Sequence, residues 1–160
     1  MLKVEECMIR EVLTAKRGTP LKDIITFFKE KHVHVLPVID AQEHLVGSIS
    51  LNEITTVFQP QSAQLNELLK SVPFVDTVPE PDIDLEYVTP EMGILVIADE
   101  IMSKQYFSIA PGDSIGKAYA VMKANNTKLL MVTEEDDKLV GVLGLFDIIY
   151  SIFRERGVIN

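Results

Sequence analysis

The sequence predicts an α+β fold built from two copies of one β-α-β-β-α unit, which we expect to be related by a pseudo-two-fold axis and packed through their sheets. The first observation is an internal repeat. When the chain is shifted by 94 positions, Met8 falls on Met102, and residues 45–47 fall on 139–141, both Leu-Val-Gly. The second is that helix-like and strand-like patterns follow in the same order in each copy. The third is size, because a unit of about 50–60 residues buries little core alone.

The first copy is expected to begin with a helical turn over residues 4–9 and an extended piece near Leu13 and Thr14. Thr19 then precedes Pro20, the pattern of an N-cap residue with proline at the first helical position. The apolar residues of that helix recur at helical spacing: Leu21, Ile24, Ile25 and Phe28. Two strands follow, at 35–39 and 45–49, with a polar turn at 40–44 between them, and a closing helix at 51–58 completes the copy.

The second copy repeats this order. Asp113 is predicted to cap a helix whose apolar face holds Ile115, Ala118, Tyr119 and Met122. Two strands follow, at 129–132 and 139–143, with a turn at 134–138 between them and the closing helix at 145–153. The apolar face of the closing helix includes Ile148, Ile149, Ile152 and Phe153.

A long connector separates the copies, so we predict repeat 1 at 1–58, the connector at 59–97 and repeat 2 at 98–160. Residues 62–72 are predicted to form a short amphipathic helix, and an extended, proline-rich acidic stretch follows. Between 71 and 103 there are eight acids and no Lys, Arg or His. The net charge of −9 thus comes largely from the connector, which we expect to pack along the module or a partner.

Composition excludes several function classes. No basic face predicts nucleic-acid binding, and no apolar run reaches the roughly 18–20 residues of a membrane span. The first residues lack the apolar core of a signal peptide, and Cys7 is the single cysteine, so a cytoplasmic setting is expected. Cys7 falls on the apolar Ile101 and is interpreted as a small buried side chain.

No motif predicts catalysis or a metal site. His32 and His34 alternate as on one face of a strand, but two histidines without a third ligand do not predict zinc. No Ser-His-Asp order, glycine-rich phosphate loop or carboxylate pair is present, so the chain is not expected to be an enzyme.

Several short motifs recur in fixed order in both copies. Residues 6–9 and 100–103 are similar to Asp-Ile-Met-Thr, residues 36–40 to Leu-Pro-Val-Val-Asp, and residues 108–114 to a Thr-Val-x-Pro-Asp-x-Ser helix lead-in. Residues 45–54 and 139–148 are similar to Leu-Val-Gly-Ile-Ile-Thr-x-x-Asp-Leu. Each copy therefore resembles the cystathionine-β-synthase (CBS) domain, and the pair resembles a CBS pair, or Bateman module.

The resemblance implies a regulatory module that senses an adenosyl ligand such as AMP, ADP, ATP, S-adenosylmethionine or NAD, with or without Mg²⁺, in clefts between the repeats. In the family a Ser or Thr contacts phosphate, and an Asp three residues later holds the ribose. Neither copy keeps both residues. The first copy has Ser50 and Glu53, whereas the second has Gly144 and Asp147.

The resemblance places one ligand cleft on the second copy, and we prefer this one because it keeps the aspartate. Its residues are Asp147, Gly144, Met102, Phe107, Ser108, Thr127, Lys128, Leu130 and Met131, with Lys128 or Lys104 facing phosphate. The second cleft would be formed by Met8, Thr14, His34, Leu36, Pro37, Ser50 and Glu53.

Structural roles compete with each of these assignments. Asp147 and Glu53 also suit the start of a helix, where an acid interacts favourably with the helix dipole, and Ser50 is a natural N-cap. Lys128 is also compatible with a solvated strand edge, and Met8 and Met102 with gap-filling core positions.

The resemblance also implies a homodimer, with 51–58 and 145–153 as candidate interface helices and an unidentified effector protein as the output. The alternative is a dimerisation or docking scaffold that binds no ligand. A further option is a connector that covers one cleft and excludes nucleotide by its charge.

Overall fold

The structure, a computed structural model, describes residues 1–58 and 88–160. The described part of the first copy contains α1 (Val4–Cys7), β1 (Ala15–Lys16), α2 (Leu21–Lys31), β2 (Val35–Ile39), β3 (Leu45–Ser50) and α3 (Leu51–Thr55). After residue 88 the elements are α4 (Met92–Leu95), α5 (Ala98–Ile101), β4 (Ser108–Ile109), α6 (Ile115–Ala124), β5 (Leu129–Thr133), a 3₁₀ turn (Glu135–Asp137), β6 (Leu139–Gly144) and α7 (Leu145–Glu155). The predicted helix at 62–72 lies outside the described residues.

Two three-stranded sheets confirm the predicted α+β class. Their strand orders are β1-β2-β3 and β4-β5-β6, and the first two strands of each sheet run parallel. The parallel registers are equivalent, because Ala15 pairs with Val38 and Ile109 with Val132, which are the same positions at the 94-residue shift. β5 and β6 are antiparallel around the 3₁₀ turn. The repeat in sequence is thus a repeat in topology.

Contacts divide the chain into two compact units that interleave along the sequence. One unit contains Met1–Arg17, Leu36–Ser48 and Ser103–Asn160, and the other contains Gly18–Val35 and Ile49–Met102. The core of the first unit combines residues from both copies: Val4, Cys7, Ile109, Ala118, Met122, Leu130, Val132, Leu143 and Ile148. The burial of Cys7 in this core confirms its interpretation as a small apolar side chain.

The segment that leads into each copy is bound to elements of the other copy. Two bridges join the start of the chain to the second copy: Lys3 with Ser114 and Ile9 with Val142. The equivalent bridges join residues ahead of β4 to the first copy: Ile97 with Pro20 and Ser103 with Ser48. The sequence did not predict this pairing of each lead-in segment with the other copy. The predicted boundaries 1–58, 59–97 and 98–160 stay a prediction.

The helix caps of α2 and α6 differ from the prediction by one residue. Pro20 is the N-cap of α2, because the carbonyl oxygen of Thr19 is occupied by the Ala98 N–H at 2.9 Å. Ser114 is the N-cap of α6, and its hydroxyl oxygen accepts the Lys117 N–H. Asp113 binds the Ala110 N–H and the Lys117 ammonium instead of capping.

Some helix boundaries were also predicted wrongly. α3 ends at Thr55 rather than at residue 58, and α7 continues beyond residue 153 to Glu155. The predicted extended stretch is interrupted by α4, whose turn closes with the Leu95 N–H on the Glu91 carbonyl at 2.9 Å.

The two histidines do not share a strand face. His32 is the C-cap of α2 with φ of 51°, and His34 precedes the first residue of β2. Asn126, at the equivalent position of the second copy, has φ of 50°. Both copies therefore need a left-handed residue to turn the chain from helix to strand, which explains the error.

Candidate functional site

One end of the β4-β5-β6 sheet brings together most of the residues predicted for the preferred cleft. Ser108 pairs with Met131, and the Phe107 carbonyl accepts the Met131 N–H at 2.9 Å. Leu129 is opposite Gly144, the last residue of β6. The starts of β4 and β5 therefore meet the end of β6, where α7 begins.

Asp147 lies on the first turn of α7 and binds the turn itself. Its Oδ2 accepts the Gly144 N–H at 2.7 Å, and the Leu145 N–H donates to the Lys128 carbonyl at 2.8 Å. Asp147 is half-buried and Lys128 is exposed. Within the described residues, Oδ1 of Asp147 has no hydrogen-bond partner. The carboxylate thus stabilises the helix start with one oxygen and keeps the other for a further donor.

The absence of a side chain at Gly144 suits this geometry. A Cβ at residue 144 would lie 2.9 Å from Oδ2 of Asp147, closer than carbon and oxygen approach without a shift. In the sequence, Gly144 takes the place of the family's hydroxyl residue and is predicted to line the preferred cleft. The structure adds a consequence, because a side chain at residue 144 would require the Asp147 carboxylate to shift from its present position.

The first copy solves the same capping problem with a longer acid and a serine. Oε2 of Glu53 accepts both the Ser50 N–H, at 2.6 Å, and the Ser50 hydroxyl. The Ser50 hydroxyl oxygen also accepts the Asn52 N–H. Serine and glutamate are therefore bound to each other, and the Ser50 proton that a phosphate would accept is already donated.

The remaining residues of the preferred cleft differ in access. Phe107 and Ser108 are exposed, whereas Leu130 is fully buried in the core and Met131 is 4% exposed. The Leu130 side chain therefore packs in the hydrophobic core. The hydroxyl of Thr127 is bound to the backbone of Leu129, as donor to its carbonyl and acceptor from its N–H.

Met102 and the residues predicted for the second cleft are distributed over both compact units. Met102 is the C-cap of α5 and belongs to the unit that also contains His34, Ser50 and Glu53. Met8, Thr14, Leu36 and Pro37 belong to the other unit, where Leu36 and Pro37 are buried.

Met8 lies against Gly141, where an added Cβ would be 3.1 Å from the sulfur, which fits its core interpretation. Among residues 1–58 and 88–160, no group of three or more His, Cys, Asp or Glu side chains could hold a metal ion. No helix in these two ranges has the length and apolarity needed to cross a membrane.

Comparison with known proteins finds relatives that match nearly the whole chain. Uncharacterized protein MJ1404 of Methanocaldococcus jannaschii is 24% identical over 185 residues, covering 96% of this chain and 44% of that protein. The chain spans about two fifths of the first curated relatives that it matches, 44% and 40% of their lengths.

Two solved structures share the fold at low sequence identity. The crystal structure of CBSX2 in complex with AMP has a TM-score of 0.69 and 18% identity, covering 98% of this chain and 99% of that one. Protein MJ1225 from Methanocaldococcus jannaschii has a TM-score of 0.70 and 21% identity, covering 94% and 47%.

The family itself is identified by a family model rather than by these relatives. The model of the CBS domain matches two segments, residues 4–59 and 97–154, which agree with the two copies seen in the sequence and in the sheets. The chain belongs to the CBS domain family.

Proposed function

We propose that this chain is a regulatory CBS pair that binds an adenosyl ligand of the AMP, ADP or ATP type and acts on a partner protein. The family membership and the AMP complex of a protein with the same fold support this proposal. The homodimer, the cytoplasmic location and the absence of catalysis belong to the same proposal.

The observation that carries the proposal is the Oδ1 atom of Asp147. A carboxylate oxygen at a sheet end, half-buried and without a partner among the described residues, can accept a hydroxyl hydrogen bond. A ribose offers two adjacent hydroxyl donors. Since Oδ2 is held by the Gly144 N–H, the carboxylate is already oriented when the sugar arrives.

Groups for the phosphate lie at the same sheet end. The Lys128 ammonium is exposed, and the backbone of Lys128 is fixed by the Leu145 N–H. The Ser108 hydroxyl is exposed at the start of β4. A cation and a hydroxyl are the donors that a phosphate prefers. The proposed ligand therefore has its ribose at Asp147 and its phosphate toward Lys128.

Regulation would pass through α7, because the carboxylate that holds the ribose also begins this helix. A ligand shifts an equilibrium only by its different affinity for the two states. Binding at Asp147 favours the state in which the first turn of α7 is ordered. The effector that responds is a separate protein or a part of a longer chain; the relative MJ1404 is a longer chain, of which the match covers 44%.

The test is a thermal-shift series with AMP, ADP, ATP, NAD and S-adenosylmethionine, each with and without Mg²⁺. A ligand at 100 times its dissociation constant adds about 2.7 kcal/mol to the free energy of unfolding. We expect the shift to disappear in Asp147→Ala and to remain in Glu53→Ala. Both variants lose an acid at the third position of a helix that binds the N-cap backbone N–H, so Glu53→Ala is the matched control.

A second candidate function is a scaffold that binds no nucleotide. The observation that favours it is the mutual hydrogen bonding of Ser50 and Glu53, together with the missing hydroxyl at Gly144. Both acids would then serve only as helix caps. A series in which no ligand raises the melting temperature of the wild type would support the scaffold and contradict the sensor.

A further inference from the structure

We propose that Tyr106 is a positioning residue of the ligand site at Asp147. Its hydroxyl fixes the start of β4 and thereby holds Ser108 toward a phosphate, so that the site prefers a nucleotide to the corresponding nucleoside. This inference deepens the proposed function and rests on it. The sequence did not predict Tyr106 for either cleft, and its hydroxyl binds the first copy of the repeat.

The first observation is a hydrogen bond that joins the two copies. The Tyr106 hydroxyl donates to the Leu45 carbonyl oxygen at 3.1 Å, across 61 positions of the sequence. The bond is partly buried, Leu45 is 3% exposed, and both residues belong to the same compact unit. A hydrogen bond shielded from water is electrostatically stronger than an exposed one. The tyrosine therefore ties the chain ahead of β4 to the start of β3.

The second observation is that this bond closes a short paired segment. Ser103 and Ser48 exchange two backbone hydrogen bonds, of 2.8 and 2.9 Å, in an antiparallel bridge. In an antiparallel pair, each step forward on one chain faces a step back on the other, so Tyr106 falls opposite Leu45. Residues 103–106 are thus held against β3 at both ends, by backbone bonds at the first residue and by the tyrosine hydroxyl at the last.

The residues directly after this segment belong to the proposed site. The Phe107 carbonyl accepts the Met131 N–H at 2.9 Å, and Ser108 begins β4, a strand of only two residues. Such a short strand has few ladder bonds of its own, so the position of its first residue depends on the segment that precedes it. Within the described residues, the Ser108 hydroxyl has no hydrogen-bond partner. It is exposed and available to a phosphate oxygen.

The surroundings of Tyr106 keep its hydroxyl a donor. Burial raises the pKa of Tyr106, and the negative charge of Asp137 adds to this effect. A phenolate oxygen has no proton to donate, so ionisation would break the bond to the Leu45 carbonyl. Because the pKa of an unperturbed tyrosine is already about 10, the tether is intact at neutral and mildly alkaline pH.

The first copy has no equivalent tether. At the 94-residue shift, Val12 replaces Tyr106 and Thr14 replaces Ser108. The parallel strand register is nevertheless the same in both copies, so the fold forms without this hydroxyl. The tether occurs in the copy that also keeps the aspartate, Asp147. Its presence beside that carboxylate, and only there, favours a role in the site over a role in the fold.

The test compares the affinities for AMP and ATP with that for adenosine, which lacks the phosphate, by isothermal titration calorimetry on the intact chain. In Tyr106→Phe we expect both nucleotide dissociation constants to rise roughly fivefold, the equivalent of one net hydrogen bond, and that of adenosine to stay unchanged. Tyr119→Phe is the matched control. Its hydroxyl is on an exposed side chain with no hydrogen-bond partner among the described residues, and its loss should change no constant.

A double-mutant cycle with Ser108→Ala tests whether Tyr106 acts through Ser108. Where Ser108 is already alanine, Tyr106→Phe should leave the ratio of nucleotide to adenosine affinity unchanged. Hydrogen exchange reports the same tether without any ligand. The Met131 N–H, which donates to Phe107, should exchange roughly fivefold faster in Tyr106→Phe and at the wild-type rate in Tyr119→Phe.

Two results would overturn the inference alone: a ratio of nucleotide to adenosine affinity that is equal in the wild type and in Tyr106→Phe, or an effect of Tyr106→Phe on this ratio that persists in Ser108→Ala. A tyrosine with a purely structural role would weaken all three ligands equally. A wild type that binds none of them contradicts the proposed function and with it the role of Tyr106 in a ligand site, even where Met131 exchanges faster in the variant.

Discussion

The starts of α3 and α7 need the same hydrogen bond to the N-cap backbone N–H, and the two copies form it with different pairs of residues. In the second copy Asp147 reaches the backbone N–H of residue 144 directly, and a Cβ there would lie 2.9 Å from its Oδ2. In the first copy the longer Glu53 reaches the N–H of Ser50 and accepts its hydroxyl as well. Glycine with aspartate and serine with glutamate are therefore two solutions to the same capping requirement.

This coupling predicts the effect of Gly144→Ala. The added methyl group should displace the Asp147 carboxylate and lower the free energy of unfolding by about 1–3 kcal/mol, the usual range for overpacking. In the Asp147→Ala background the same change should have little effect, because the clashing oxygen is gone. Urea unfolding of the four proteins in this double-mutant cycle measures the coupling.

Gly112→Ala is the control for that cycle, because nothing lies within 4 Å of a Cβ at residue 112. It should be neutral or slightly stabilising. Equal losses from Gly144→Ala with and without Asp147 would show that the contact with the carboxylate is not the cause.

At the scale of elements, the polar turns and helix starts depend on ionised aspartates. A hydrogen bond from the Lys117 ammonium lowers the pKa of Asp113, and the Ala110 N–H adds to this effect. For Asp40, partial burial opposes a larger lowering of the pKa by hydrogen bonds from the N–H groups of His44 and Gln42. Both carboxylates thus favour the folded state when they are charged.

The sign of the pH dependence follows from these lowered pKa values. A lowered folded-state pKa gives stability that is complete above the unfolded value of about 3.9 and is lost as the pH falls through the folded value. Between about pH 5 and about pH 2.5, the wild type should lose stability as these carboxylates are protonated. We expect the double variant Asp40→Asn, Asp113→Asn to lose less stability over the same range. Thermal unfolding at a series of pH values measures the difference. Parallel curves would contradict the assignment.

Much of the element order and the N-cap role of Ser50 could be predicted from sequence, whereas the caps of α2 and α6 and the contacts of the site could not. The 94-residue repeat and the apolar runs were sufficient for both sheets, because buried strands leave a continuous apolar pattern. The cap of α2 moved from Thr19 to Pro20 because a distant residue, Ala98, binds the Thr19 carbonyl. The contact between Gly144 and Asp147 depends on a side-chain rotamer, which no spacing in the sequence specifies.

At the scale of the whole molecule, the reciprocal lead-in segments make each copy depend on the other. A repeat in sequence cannot reveal this, since a lead-in that binds its own copy and one that binds the other have the same pattern. Val4 belongs to the lead-in of the first copy, yet it is fully buried in the core that contains Ala118, Leu130 and Leu143 of the second. Its N–H also donates to the Asp113 carbonyl at 2.9 Å.

This arrangement predicts that a substitution in the first residues destabilises the second copy. Val4→Ala should lower the free energy of unfolding by about 2 kcal/mol through the cavity that it leaves. The N–H groups of Ile9, Ile115 and Val142 form hydrogen bonds between the lead-in segment and the second copy. Because Val4 belongs to the same segment, its substitution should speed hydrogen exchange at these three residues. Glu5→Ala, at the exposed neighbouring position, should change neither quantity. The contrary result would be faster hydrogen exchange only at residues 1–9, with unchanged hydrogen exchange in α6 and β6. It would mean that the lead-in segment adds no stability to the second copy and that the reciprocal lead-in segments are not a source of cooperativity between the repeats.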